Sequence, residues 1–230
     1  LTAFTEKSYK EMITPILHGI RPVFGVGQSN AVIIEGRTSV ILVDTLDTLE
    51  RGQKLLEIIR SRTEKPVKTI LYTHGHPDHR GGAGAFSGTD PEIIAFAPAT
   101  PVLKKTEMLQ DIHNLRGIRQ FGYALSDEEN LSQGIGLREG LAYGESRAFR
   151  QPTTVYDEDK VVREIDGVRL ELVRLPGETD DQIMIWLPER QVLCCGDNYY
   201  GCWPNLYAIR GSQYRDIAGW LDSLDEILSY

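Results

Sequence analysis

The sequence has no apolar run that approaches the ~18 residues a membrane-spanning helix needs, so a helical span is not expected. Cysteine is scarce: Cys194, Cys195 and Cys202 make three in 230 residues, and no two are spaced as C-x-x-C. An odd count with two adjacent members excludes a disulfide framework. The pair in Val192-Leu193-Cys194-Cys195 ends an apolar run and reads as core packing. Blocks of five or six like charges are also missing, and the formal net charge is -8, which argues against a nucleic-acid surface. Leu1 opens no charged-then-apolar leader. A mature or trimmed chain fits that start, and the compartment stays open. With 41% apolar residues the chain is long enough to bury a full core as one domain, expected to span 1–230.

Histidine is scarce as well, but unevenly spread. Of five in the chain, three fall in Thr73-His74-Gly75-His76-Pro77-Asp78-His79, directly after the apolar run Val67-Lys68-Thr69-Ile70-Leu71-Tyr72. Three imidazoles and a carboxylate at the end of a buried strand form a metal site. Imidazole with carboxylate suits a borderline divalent ion such as zinc, and no nearby thiolate suggests a closed structural site. Alternate side chains of such a loop can face two points in space. One metal would take His74 and His76, and a second Asp78 and His79. A lone histidine near a strand end is usually only a polar residue, but this clustering leaves that explanation little room.

Around the loop, periodicity predicts the elements. Tyr9, Met12, Ile13, Ile16 and Leu17 have helical spacing until Pro22. Ala31 to Ile34 and Ser39 to Val43 read as a hairpin turning at Gly36-Arg37, closed by Asp44. That Asp is either an exposed strand-end residue or the partner that orients a ligand histidine and fixes its tautomer. Asp47 can cap a helix with Glu50 three residues on, and Leu55, Leu56, Ile58 and Ile59 give that helix an apolar face before Pro66. The resulting strand-helix-strand unit leads into the metal loop, followed by Gly81, Gly82 and Gly84. Pro91 to Ala97 predicts a strand and Met108 to Phe121 a helix, in which His113 reads as structural. Residues 126–153 carry glycines at 134, 136, 140 and 144 and little apolar periodicity, so a flexible or lid-like segment is expected there. Lys160 to Ile165, Val168 to Leu175, Ile183 to Leu187 and Val192 to Cys195 predict four more strands, turning at Asp166-Gly167 and Pro188-Glu189. Ile217, Trp220, Leu221, Leu224 and Ile227 have helical spacing. Two β-rich halves with helices outside make an α+β chain whose natural architecture is an αββα sandwich.

The H-x-H-x-D-H pattern, in Thr-His-Gly-His-Pro-Asp-His-Arg-Gly-Gly after an apolar strand, resembles the metallo-β-lactamase superfamily of hydrolases. That resemblance implies two zinc ions held between two β-sheets, with Asp44 as the carboxylate supporting a ligand histidine. Much of the superfamily has a zinc-binding histidine after Pro-Gly. Here Pro176-Gly177-Glu178 resembles instead the alkyl sulfatase branch, which uses a glutamate, with Asp180 and Asp181 as alternatives if the alignment slips. Cys195-Gly196-Asp197-Asn198 stands where the superfamily has an acid that bridges both metals. Alkyl sulfatases typically have glutamate there, a departure. Asn205-Leu206-Tyr207-Ala208-Ile209-Arg210-Gly211 resembles that branch's Asn-Leu-x-x-Leu-Arg-Gly segment, and Asn30 to Gly36 its opening hairpin, so the likeness runs over roughly residues 24 to 228.

The resemblance implies hydrolysis of an anionic ester, an alkyl sulfate, by a metal-bound hydroxide. His74, His76 and Glu178 would hold one zinc, Asp78 and His79 the other, with Asp197 bridging; Asp78 and Asp197 thus stand at the catalytic centre. Asn205 and Arg210 would hold the sulfate, Arg210 as a planar fork for two oxygens. Either the sulfur-oxygen or the carbon-oxygen bond is open to attack. Other superfamily hydrolases of lactones, thioesters, phosphodiesters or β-lactams, and a non-catalytic metal-binding fragment, are the alternative readings. The superfamily takes a last zinc ligand from a later histidine, and only His113 follows His79 here. The likeness is therefore to the amino-terminal catalytic part of such an enzyme, and the sandwich is expected to be incomplete at its carboxyl end. By the same resemblance, a full-length enzyme would dimerise through a separate helical domain and would be periplasmic or secreted.

Overall fold

Strands rich in β-branched residues dominate the computed structural model, which describes residues 2–98, 109–212 and 214–230. Seven of them form one sheet in sequence order: β1 (Met12–Ile13), β2 (Ile20–Phe24), β3 (Ala31–Glu35), β4 (Val40–Val43), β5 (Val67–Leu71), β6 (Glu92–Phe96) and β7 (Thr154–Tyr156). Pairing is antiparallel from β1 to β4 and parallel from β4 to β7. Parallel neighbours need a crossover, and helix α2 (Leu49–Arg60) supplies the one between β4 and β5. All four residues of β4 are buried, as expected of a strand covered on both faces. A second, antiparallel sheet runs β11-β10-β9-β8, from β8 (Lys160–Ile165), β9 (Val168–Arg174), β10 (Ile183–Leu187) and β11 (Val192–Cys194). Among the described residues the other α-helices are α1 (Thr2–Ser8), the single turn α3 (Pro77–Arg80), α4 (Gln110–Gln120) and α5 (Ile217–Leu228).

Three apolar layers hold these parts together. Leu55, Ile58 and Ile59 of α2 pack with Val23, Ile33, Leu42 and Ile70 on the outer face of the first sheet. Ile34, Ile41, Val43 and Leu71 meet Leu170, Leu172, Ile183 and Ile185 between the sheets, with Cys194 at the edge of that layer. Val173, Leu175 and Met184 take Ile227 of α5 on the far side. The order helix, sheet, sheet, helix is the αββα sandwich, and each fully buried aliphatic side chain in it contributes about 1.5–3 kcal/mol. Burial drives the Cys194 thiol up to about 12, consistent with a packing role for this free cysteine.

Two expectations are corrected. Met12 and Ile13, expected at helical spacing before Pro22, form strand β1, and Pro22 lies in β2; β1 pairs only with Val23 and Phe24, so the missing N–H of Pro22 costs no bond to β1. The α2 cap is Thr48, whose hydroxyl accepts from Arg51 N, while Asp47 binds the Arg51 guanidinium at 3.0 Å and receives Gly140 N–H at 2.8 Å. Strand β7 went unforeseen, because three residues after a glycine-rich stretch carry too little pattern. Met108 lies outside the described residues, and α4 begins at Gln110.

Candidate metal centre

The loop after β5 is clamped before its histidines are used. Thr45 N donates to His79 O at 2.8 Å, Gly82 N to Leu46 O at 3.0 Å, and Ser29 Oγ to Asp78 O at 2.6 Å. Thr73 O accepts from Ile183 N at 2.9 Å, which ties the loop to the second sheet. An added Cβ on Gly75 would stand 2.8 Å from Asp181 Oδ2, so the glycine lets the loop pass against that carboxylate. The Gly75 backbone hydrogen-bonds to the Asp181 carboxylate, which braces the H-x-H turn.

Asp44 does what a histidine-orienting carboxylate must. It is 3% exposed and sits at φ 57°, a left-handed position that Asp tolerates better than most residues. One oxygen accepts Thr73 N at 2.8 Å; the other accepts Thr73 Oγ1 at 2.7 Å and lies 2.7 Å from His79 Nδ1. With the proton on Nδ1, the Nε2 lone pair of His79 is free for a metal. That Nε2 lies 3.5 Å from Asp78 and 3.3 Å from Asp197.

Two groups of ligand atoms come together within 4.8 Å: His74, His76 and Asp197 in one, Asp78, His79 and Asp197 in the other. Asp197 is common to both, held on the one-turn helix Gly196–Asn198, where Gly196 adopts φ 54° against Thr73 and Gln182. Asn198 pins that turn through Nδ2 to Leu175 O at 2.7 Å and through its carbonyl to Trp220 Nε1 at 3.1 Å. Among the described residues, His74 Nε2 and His79 Nε2 are buried with no hydrogen-bond partner. Burying such groups unpaired costs about 1–3 kcal/mol each, and a divalent cation would satisfy both. The donor set of imidazole nitrogens and carboxylate oxygens fits one.

The electrostatics agree. Burial, reinforced by the neighbouring imidazoles, holds His74 well below the usual histidine range and His76 down to about 3. Both are neutral near pH 7, the form that binds metal. Burial would also depress His79, but Asp197, Asp78 and Asp44 outweigh it and drive its pKa well up. Burial would raise Asp197, and here the imidazoles prevail, His79 first, so it stays ionised. The pocket thus holds concentrated negative charge around His79.

Glu178 is placed differently. It is buried, with Oε1 3.9 Å from His76 Nδ1, yet lies outside both ligand groups. The same oxygen takes Arg215 Nη1 at 2.8 Å and Asn205 Nδ2 at 3.3 Å. Burial, then the Asp197 charge, push its carboxyl up to about 7 against the pull of Arg215. Asn205 therefore stands at the wall of the centre beside Glu178. Arg210 is held over the Phe121 ring at 5.6 Å, its backbone N–H bound by Gln120 of α4 at 2.7 Å. His113 packs near Gly211, where an added Cβ would stand 3.2 Å from its Nε2, and belongs to neither ligand group.

His74, His76, Asp78, Glu178, Asp197, Asn205, Arg210 and His113 border one cleft of about 1700 Å³, while His79 and Asp44 are buried. Its wall also carries Arg80, Arg147, Arg210 and Arg215, a gathering of cations in a chain whose net charge is -8. The 126–153 segment forms part of this wall through Glu139 and Arg147. It is tied down by Arg51 Nη2 to Arg138 O at 2.6 Å and by Ala148 N to Gly81 O at 2.7 Å. Sequence reasoning missed Arg215 and Glu139. Arg215 follows Arg210 by five residues in an irregular stretch, and nothing in its spacing separates it from a surface arginine.

Comparison with known proteins gives a consistent set of likenesses. A family model described as the metallo-beta-lactamase superfamily matches residues 24–230. Over 206 residues the chain is 32% identical to a linear primary-alkylsulfatase of Pseudomonas sp. (strain ATCC 19151), covering 86% of this chain and 39% of that protein. It is 33% identical over 219 residues to the alkyl/aryl-sulfatase BDS1 of Saccharomyces cerevisiae, covering 91% of this chain and 34% of that one. The solved structure of the stereoselective inverting sec-alkylsulfatase Pisa1 from Pseudomonas sp. superposes with a TM-score of 0.82 at 23% identity, over 95% of this chain and 36% of that chain. The metallo-beta-lactamase IND-7 superposes at 0.61 with 18% identity. These two structures share the fold. The chain spans little more than a third of the length of the two alkylsulfatases whose sequences it matches, 39% and 34%.

Proposed function

The chain belongs to the metallo-beta-lactamase superfamily, and from that premise we propose that it forms the catalytic part of a zinc-dependent alkyl sulfatase. One observation carries the reading: a half-buried guanidinium, Arg210, stacked on Phe121, borders the same cleft as two overlapping groups of metal ligands. A neutral ester gains little from such a group. An anionic head beside a metal pair gains a fixed counter-charge with two parallel donors. The two sulfatases at 32% and 33% identity support sulfate as that head.

His74, His76 and Asp197 would hold one zinc ion, and Asp78, His79 and Asp197 the other. Glu178, beside His76, would complete the first set. When bound, the ions supply the Lewis acidity that makes water a nucleophile near neutral pH and polarise the ester. The chain's own residues do the rest. Asp44 keeps the His79 proton on Nδ1 and the ring in one orientation. Asp78 and Asp197 flank His79 Nε2 from two sides and keep the reacting centre anionic, so that the cations are retained. Arg210 and the second N–H of the Asn205 amide orient the sulfate, and Glu139 lines the same cleft.

The test is a substrate panel on metal-loaded protein: a medium-chain alkyl sulfate, a lactone, a thioester, a phosphodiester and a β-lactam. Sulfate release is expected, with Arg210→Ala lowering kcat/KM for the alkyl sulfate about a hundredfold, the loss of one bidentate charged contact, at unchanged metal content. Turnover of a neutral ester without sulfate release would move the chain to another branch. Bound metal with no turnover of any panel member would support a metal-binding fragment.

A further inference from the structure

We propose that Glu139 is the general acid of the cleft, the carboxyl whose proton passes to the ester oxygen as an alkyl sulfate is cleaved. The inference rests on the sulfatase reading and deepens it: cleavage falls on the sulfur-oxygen bond, and the leaving alkoxide has a proton donor.

Glu139 is buried, at 5% exposure, yet borders the same cleft as Asp78, Asp197 and Arg210. Its neighbours in sequence are pinned on both sides. The Arg138 carbonyl accepts from Arg51 Nη2 at 2.6 Å, and Asp47 accepts the Gly140 N–H at 2.8 Å. The Arg138 guanidinium donates to the carbonyls of Gly122 at 3.2 Å and Leu125 at 2.9 Å, which ties the segment to the turn after α4. From that turn the Tyr123 hydroxyl donates to Glu139 Oε2, and Arg147 Nη2 lies 3.7 Å from the same oxygen. Among the described residues both contacts fall on Oε2, so Oε1 is left for a ligand. A side chain held this way sits on a rigid support, as proton transfer to a fixed atom requires.

The reaction calls for such a group. Water adds its oxygen to sulfur, and the bond from sulfur to the alkyl oxygen breaks with its electron pair on that oxygen. The alkoxide so formed is a strong base and takes the Glu139 proton. The proton released by the attacking water restores the carboxyl, so ester and water become alcohol and hydrogen sulfate. Other acids of the cleft are committed: Asp78 and Asp197 to the ligand groups, Glu178 to Arg215 and Asp181 to the Gly75 backbone. Facing Glu139 are Arg147 of its own segment, Tyr123 after α4, Asp47 before α2, Asp78 of α3 and Arg210 after β11. Burial pushes its carboxyl up to about 7; Arg147 opposes the rise, Asp78 and Asp47 add to it, and Arg210 opposes it. Burial, the largest of these influences, persists when cations offset Asp78. A donor with its pKa near the working pH serves acid catalysis best.

The test compares an alkyl sulfate, whose alkoxide needs a proton, with a nitrophenyl sulfate, whose phenoxide leaves unaided. Both are assayed on metal-loaded wild type and Glu139→Gln, with metal content and a thermal melt on the same samples. Glutamine keeps an acceptor for Tyr123 and lacks the acidic proton. The expected kcat loss is about a hundredfold or more for the alkyl sulfate and at most about threefold for the nitrophenyl sulfate. Wild-type turnover of the alkyl sulfate should fall as pH rises through about 7, and Glu139→Gln should lack that limb. With an alkanesulfonate, a head that is not hydrolysed, in the cleft, the infrared band of a protonated carboxyl should appear in wild type and be missing from Glu139→Gln. Hydrolysis in water that carries heavy oxygen should leave the label in sulfate. Equal losses on both esters overturn the proposal, since Glu139 would then be a brace. So does a Glu139 carboxyl already ionised well below neutral pH, or label in the alcohol, which marks carbon-oxygen cleavage with sulfate as the leaving group. Wild type that binds metal and releases sulfate from neither ester overturns the sulfatase reading, and the role of Glu139 with it.

Discussion

Replacing Asp44 by asparagine separates the charge of that residue from its shape. The carboxylate makes three contacts of 2.7–2.8 Å, to His79 Nδ1, Thr73 Oγ1 and Thr73 N. Asn is nearly isosteric and also tolerates the left-handed backbone at φ 57°, so the fold should survive. What is lost is the negative charge behind His79 and one of the acceptors, since the amide nitrogen can only donate. Outer-sphere partners of ligand histidines are worth about 10–100-fold in metal affinity, or about 1.4–2.8 kcal/mol. The loss should fall on the group that contains His79 and spare the one that contains His74 and His76. Chelator competition therefore should show one ion lost at about 10–100-fold lower chelator and the other retained.

Alanine at the same position is a harsher test. It leaves Thr73 N–H, Thr73 Oγ1 and His79 Nδ1 without their partner in a site that is 3% exposed. At about 1–3 kcal/mol for each buried donor left unsatisfied, plus about 1–2 kcal/mol for a left-handed alanine, Asp44→Ala removes at least about 4 kcal/mol of stability. That is a large share of the about 5–15 kcal/mol of a typical domain, and a thermal melt reads it directly. The reasoning is refuted if Asp44→Asn binds both ions with wild-type affinity, because Asp44 would then be a packing residue that happens to touch His79.

Three further outcomes are expected. Gly52→Ala, a change that ordinarily stabilises a helix by about 1 kcal/mol, should lower Tm here, because its Cβ would stand 2.3 Å from Gly82 O in the loop that carries the ligands; a net loss of about 1–3 kcal/mol is expected from overpacking. Removal of bound metal by a chelator should lower Tm, by the equivalent of about 2.7 kcal/mol if the free metal had stood at a hundred times its Kd, and re-addition of zinc should restore it. Asp166 accepts from the backbone and hydroxyls of Thr38 and Ser39, and these bonds, against a small effect of burial, lower its carboxyl to about 2. A folded pKa below the unfolded value gives stability that is present above about 4 and lost as pH falls towards 2. The stability gap between wild type and Asp166→Asn should therefore be constant near neutral pH and close in that acid window, as pH-dependent denaturation would show.

How far the sequence speaks for this fold differs between its parts, for physical reasons. The hairpin β3–β4, the run Val67–Leu71 and strands β9 and β10 were legible because buried aliphatic residues stand between turn residues there, and β8 because Val161, Val162 and Ile165 precede the Asp166-Gly167 turn. The candidate ligand loop stands out in the sequence because three histidines fall in six positions, and the structure brings His74, His76 and His79 into two groups that could hold a metal. Met12 and Ile13 were misread as helical because a two-residue edge strand has no period of its own. Asp47 was misread as a cap because local spacing cannot reveal a partner ninety-three residues on, the Gly140 N–H that it receives in the structure. Arg215 shows the same limit at the site itself. Its meaning comes from Glu178 and Asn205, which the chain brings to it only when the second sheet and the loop after β11 are folded.

The distribution of charge connects these observations. A chain with net charge -8 would repel an anionic ester over most of its surface, yet the cleft collects Arg80, Arg147, Arg210 and Arg215 in its wall. Opposite them, Asp44, Asp78 and Asp197 converge on His79 and hold its proton tightly. A divalent cation held by His79, Asp78 and Asp197 would add positive charge to that floor, so that floor and wall would attract the same anion. Metal and substrate binding should accordingly be coupled: sulfonate affinity measured at rising metal occupancy should climb with it. By linkage, saturating sulfonate should make the metal harder to strip by the same factor. Equal sulfonate affinity with and without metal would mean that the arginines alone hold the anion.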